Sequence, residues 1–242
     1  MEAEATFEVR GHRTHWHDAP PVVLRPTAPN HLHLLHAAGG PLGGDRLRLT
    51  GAVGPGCVLH MNSAGATVVQ PDPHHRPATW TVQVDVAAGA TLHWTPQPTV
   101  ICTNADYHTT LQVRIAPDST LLVRELLVLG RSNEPGGRCT TRLSVMIGDE
   151  PLLNHETMMD GTDQALSGPA GTGGHRIHGT ALVAGKAACE VHEQAGHTGN
   201  VHWAVLPLDG PGWLALAVGP TATEVTAILD HLLSDQAHSS FR

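Results

Sequence analysis

The feature that most constrains this chain is the recurrence of one unit: a short run of alternating apolar and polar residues, a turn rich in glycine or proline, and a second alternating run. Its first copy leaves Gly39-Gly40-Pro41-Leu42-Gly43-Gly44-Asp45, enters Arg46-Leu47-Arg48-Leu49, turns at Gly54-Pro55-Gly56 and returns as Cys57-Val58-Leu59. A period of two marks a strand with one buried face, and glycine supplies the backbone freedom that the turns require. The unit comes back as residues 81–86 with 91–94, as 111–115 with 121–129, and as 143–147 with 152–153. Turns that recur roughly every thirty residues fall in the range of stacked supersecondary units. The expectation is a mainly all-β chain of successive β-hairpins, stacked into a two-layer or β-helix-like scaffold. A plain sandwich of short strands has a similar rhythm and stays open as an alternative.

The remaining segments extend this plan to one β domain over residues 1–242. Residues 1–38 form histidine-rich N-terminal strands, residues 39–160 the repeated hairpin core, and the glycine-rich stretch 161–174 a flexible loop. Two shorter β units follow, 181–183 with 188–191 and 202–206 with 213–218. The chain closes differently. Thr221-Ala222-Thr223-Glu224 has the form of a capping box, and Val225, Ile228, Leu229, Leu232 and Leu233 recur at helical spacing, which predicts a short C-terminal α-helix over 221–233 packed on the sheet, then a frayed polar tail from 234 to 242.

Composition narrows the functions. A formal charge of −8 with no run of Lys or Arg argues against nucleic acid and anionic membrane as partners, since phosphate binding needs clustered positive charge. No apolar run approaches the roughly eighteen residues of a membrane span, and the acidic start Met1-Glu2-Ala3-Glu4 does not read as a secretory signal. Cys57, Cys102, Cys139 and Cys189 are scattered without a C-x-x-C pair, which fits a reducing cytoplasm.

Catalytic constellations are missing from the sequence: no G-x-S-x-G, no P-loop, no H-E-x-x-H, and the glycines at 39–44 lead into a strand where a dinucleotide fingerprint would lead into a helix. No catalytic residue and no tightly bound cofactor is expected. The strongest candidate site residue is Glu125, in the middle of the most apolar strand of the chain. A strand apolar on both faces is buried on both, so a carboxyl there is paired, protonated or facing a wet cavity. A salt bridge to Arg142 or Arg114 is the structural alternative. His155 and Glu156 lie on opposite faces of a strand, so one of them points inward. Nineteen histidines include His12, His15 and His17, then His31, His33 and His36. His31 and His33 share a strand face at a spacing that a metal could use. These N-terminal histidines support a second hypothesis, a cupin-like β-sandwich metalloenzyme. The glutamate such a site would want after His31-x-His33 is missing. A carbohydrate-binding module is disfavoured by an aromatic content of 3%. His74 and His75 sit in a proline-rich connector and carry no expected role.

The ordered set Gly39-Gly40-Pro41-Leu42-Gly43-Gly44-Asp45, Ala66-Thr67, Leu92-x-Trp94-x-Pro96-Gln97, Leu126-Leu127-Val128-Leu129-Gly130-Arg131 and Asp149-Glu150-Pro151-Leu152-Leu153 resembles the urease accessory proteins called UreD or UreH. Val68 and Val69 stand where that family carries a lysine and an aromatic, and Asn133-Glu134-Pro135-Gly136 replaces its Gly-Glu-x-Phe. The resemblance implies a cytoplasmic, non-catalytic β scaffold between a helical partner, UreF, with its nickel-carrying GTPase UreG, and the urease apoprotein, with nickel(II) passing transiently through the interior. On that reading Glu125 and His155 or Glu156 line the passage. Gly43, Gly44, Asp45, Thr67, Pro96, Gln97, Gly130 and Arg131 hold the scaffold.

Overall fold

The computed structural model describes residues 1–238. Their strands run in order as β1 (Glu2–Arg10), β2 (Arg13–His17), β3 (Val22–Ala28), β4 (His31–His36), β5 (Arg46–Val53), β6 (Val58–Ser63), β7 (Thr67–Val69), β8 (Ala78–Val86) and β9 (Thr91–Trp94). They continue as β10 (Thr99–Ile101), β11 (Asp106–Ile115), β12 (Thr120–Leu129), β13 (Arg138–Ile147), β14 (Glu150–Asp160), β15 (Ile177–Gly185), β16 (Gln194–Thr198), β17 (Val201–Pro207) and β18 (Gly212–Gly219), and the helix α1 (Ala222–His238) ends the described chain.

The strands form two facing sheets. Sheet 1 has the order β14-β13-β11-β8-β5-β1-β2, and sheet 2 the order β16-β17-β18-β15-β12-β9-β6-β4-β3, with β10 beside β12 and β7 beside β10. The recurring unit is therefore not a hairpin in its first three copies. β5 and β6, β8 and β9, β11 and β12 each leave the turn for different sheets, where β5, β8, β11 and β13 pair in parallel in succession in one sheet and β6, β9 and β12 in the other, until β12 meets β15 antiparallel. The turns at Gly56 and Gly89, both with positive φ, are corners of a coil. The β-helix-like, two-layer stack anticipated from the period is present; the pairing within the unit is not, because a period of two reports which face is buried and is silent on which strand lies alongside. β13–β14 and β17–β18 are true antiparallel hairpins. Other boundaries shift too. Residues 188–191 form no strand, residues 161–174 form successive turns, and α1 runs past 233, so part of the expected frayed tail is helical; positions 239–242 of that tail lie outside the described residues.

Between the sheets lies an apolar core in which Leu49, Val82, Leu111 and Val145 of sheet 1 meet Leu59, Leu92, Leu121 and Leu182 of sheet 2. The outer face of sheet 1 is polar, with Gln83 and Gln112 hydrogen bonded at 2.7 Å on neighbouring strands. The outer face of sheet 2 is covered in part by α1. Thr221 Oγ1 accepts from the Glu224 amide at 3.2 Å and donates to the Glu224 carboxylate at 2.6 Å, a capping box. Val225 and Leu229, both without solvent exposure, then pack on Leu126, Ala181 and Ala215. A cation fixes the helix as well: Arg124, on the outer face of β12, donates to Asp230 at 2.7 Å.

Candidate functional site

Each strand of sheet 2 sends alternate side chains inward, and near one end of the stack that inward face turns polar. Glu125 sits in β12 on the same face as Leu121, Val123, Leu127 and Leu129 of the core. In the pairing registers Thr180 lies directly opposite it on β15, His178 one rung along opposite Leu127, and Trp94 of β9 opposite Val123. Across from these, sheet 1 presents Trp80, Tyr107, Thr109 and Thr141. The space between them is a cavity of about 50 Å³, lined also by Pro96 and Gln97. That is room for a single ion or a few waters.

Glu125 accepts a hydrogen bond from the Trp94 indole N–H at 3.1 Å. Burial pushes its carboxyl pKa up, and the indole bond offsets only part of the rise. The salt bridge considered for it does not form, because Arg142 donates to Glu156 at 3.1 Å on the outer face. His36 enters the cavity from β4, its ring 5.3 Å from that of Trp80 in an edge-on contact, and its buried Nδ1 has no partner among the described residues. Loss of hydration holds His36 and His178 neutral, with pKa values drawn down to about 4. Tyr107, bonded to Thr109, stays a phenol because burial raises its pKa.

Of the expected site residues, Glu125 and His155 face the interior. His155 stands on the inner face of β14 with Leu153 and Met159, bonded through Nε2 to Thr157 Oγ1 at 3.0 Å, and is close enough to His178 to disfavour the charged form of that ring. Glu156 is exposed and paired outward, which removes it from any interior route. His178 is the residue that sequence reasoning passed over, and His36 was singled out only with the N-terminal histidines of the metalloenzyme alternative. His178 and Thr180 share the strand face that buries Leu182, and that alternation was the available signal. Among the described residues no three His, Cys, Asp or Glu side chains are already gathered round one point.

The motif residues frame the cavity and its neighbourhood. Thr67 and Gln97 line it, and the Gln97 amide donates to Ser63 Oγ at 2.9 Å. Asp45, buried, accepts from the Leu42 amide at 2.9 Å and closes the glycine-rich loop. Gly43 has no room for a side chain, since a Cβ would lie 2.6 Å from the Arg76 carbonyl oxygen and 2.4 Å from Asp72 Cβ. The proline-rich connector is thus a structural partner of that loop: Asp72, buried, is gripped by Arg76, which holds its carboxyl well below the usual range. Gly130, at φ +74°, allows Arg131 to pair with Glu134. His31 and His33 share a face as expected, the outer face of sheet 2.

The model of the UreD urease accessory protein family matches residues 2–239. Relatives include urease accessory protein UreD 2 of Saccharopolyspora erythraea, 34% identical over 232 residues that cover 88% of this chain and 82% of the relative. The urease accessory protein UreD 3 of Streptomyces griseus is 37% identical, covering 82% of this chain and 78% of its own. The UreD of Frankia alni is also 37% identical, covering 82% and 73% respectively.

Proposed function

Because the chain belongs to the UreD urease accessory protein family, we propose that it is a non-catalytic, cytoplasmic scaffold that links UreF and its GTPase UreG to the urease apoprotein and passes nickel(II) through the space between its sheets. The observation that carries this reading is the cavity holding Glu125, His36 and His178 inside an otherwise apolar core. Imidazole nitrogen and carboxylate oxygen are suitable donors for nickel(II), and ligands met one after another let an ion move where a closed set would trap it. His36 and His178 are neutral and offer lone pairs, and the His36 Nδ1 lacks any partner among the described residues. His155, next to His178, extends the series toward the β14 edge. Among the described residues no helix is long and apolar enough to cross a membrane.

The test is Glu125→Gln, co-expressed with UreF, UreG and urease from one genome. The expected result is an assembled complex that yields urease with a reduced nickel content. Fully nickel-loaded urease from an intact complex of the variant would remove Glu125 from the route.

A further inference from the structure

On the outer face of sheet 2, away from the cavity, three imidazoles stand on one rung. His31 of β4 is in register with His60 of β6, and His60 with His93 of β9, all on parallel strands. The rings of His31 and His60 are 4.5 Å apart and nearly parallel at 12°, and those of His60 and His93 are 4.4 Å apart, tilted by 45°. This ladder is a product of the repeat, since successive turns of the coil place a histidine at the same register. The next rung along the face carries His33 opposite Asn62, and Asn62 accepts from Thr95 at 2.7 Å, so the histidine rung borders a polar patch.

We propose that the His31–His60–His93 ladder is a surface site for a borderline divalent transition cation such as nickel(II) or zinc(II), separate from the interior route. Two imidazole nitrogens on one ion lie at most about 4.2 Å apart, twice the metal–nitrogen distance. Neighbouring rings of the ladder are already spaced at 4.4–4.5 Å. Those are centroid separations of rings that stack, so binding requires the side chains to rotate out of the stack and turn their nitrogens toward one ion. One tautomer is set in advance: His31 Nδ1 is 2.9 Å from the Pro29 carbonyl, which can only accept, so Nδ1 carries the proton and Nε2 keeps its lone pair. A backbone carbonyl on the far nitrogen is the usual support of a metal-binding histidine. Hard cations such as magnesium, which favour oxygen donors, have no comparable purchase.

The experiment titrates nickel(II) alone into the untagged full chain at neutral pH, reading heat by calorimetry and paramagnetic broadening in imidazole ¹H–¹⁵N spectra. Expected are broadening at His31, His60 and His93 before other histidines, a first binding event weakened about tenfold or more by His60→Asn and by His31→Asn, no effect of His74→Asn with His75→Asn, and no binding of magnesium. His31→Asn, at the start of its strand, serves if His60→Asn does not fold. First broadening at other histidines, or unchanged affinity in folded His60→Asn or His31→Asn, would overturn the proposal and leave the ladder as packing.

Discussion

Trp94 and Glu125, on adjacent parallel strands of one sheet, are joined by a 3.1 Å hydrogen bond from the indole N–H to the carboxyl. This bond favours the charged form of Glu125, against the burial that raises its pKa. Trp94→Phe keeps most of the apolar volume and deletes the donor. It is expected to cost about 1–3 kcal/mol in urea unfolding, as for a buried acceptor left unsatisfied, and to raise the carboxyl pKa further, visible in its ¹³C chemical shift.

The acid itself sets a pH dependence. The folded state binds the Glu125 proton more tightly than the unfolded state, whose carboxyl titrates near 4.5. Stability contributed by that proton is present below the unfolded value and is lost as pH climbs through the raised folded value. Glu125→Gln removes this loss, so the variant is expected to gain stability relative to the parent as pH rises above 4.5. Parallel stability curves would contradict it.

His36 and His178 act in the opposite direction. Their pKa values fall from 6.5 to about 4 on folding. The unfolded chain therefore takes up protons first, and stability present above 6.5 is lost as pH falls toward 4, by up to about 3 kcal/mol for each enclosed imidazole. Replacing His178 by Asn is expected to flatten the drop in unfolding midpoint between pH 7 and pH 5.

Gly43→Ala is expected to destabilise by about 1–3 kcal/mol, because the new methyl meets backbone and a Cβ, neither of which can swing aside. Gly56→Ala, where a Cβ meets nothing within 4 Å, isolates the cost of positive φ alone and is expected to lose less, about 1 kcal/mol. Thermal melts of the two, measured together, separate contact from conformation.

Arg124 is largely buried and its partner Asp230 is half exposed. Asp230→Ala leaves a buried cation unpaired and is expected to cost about 1–3 kcal/mol. Arg124→Met with Asp230→Ala is expected to recover most of that loss, since an apolar pair replaces the ionic one at little net cost. A double-mutant cycle measured by urea unfolding decides the matter.

The period of about thirty residues was legible because alternation and turn residues are local signals. The helix was legible for the same reason, as Thr221, Glu224 and the stripe from Val225 to Leu233 all lie within one short segment. Glu125 stood out because a lone carboxyl contradicts an apolar strand. What the sequence hid was pairing: a turn such as the one at Gly89 reads the same whether the next strand lies alongside or crosses to the other sheet. For that reason the hairpins dissolved into coil turns. His178 escaped notice because its place in the cavity depends on an antiparallel register with Leu127, fifty-one positions earlier. The histidine ladder was invisible for a similar reason, since His31, His60 and His93 meet only when the parallel strands β4, β6 and β9 are laid side by side.

The coil also decides which changes in chain length this architecture can absorb. Successive copies touch through in-register parallel strands and are joined at corners, so deletion of one whole copy removes a rung from both sheets and leaves the others aligned. Loss of a single residue inside β12 is a different event. It would invert the strand's two faces, placing Arg124 in the cavity and Glu125 beneath the helix. Length can vary here by the turn, and hardly at all by the residue.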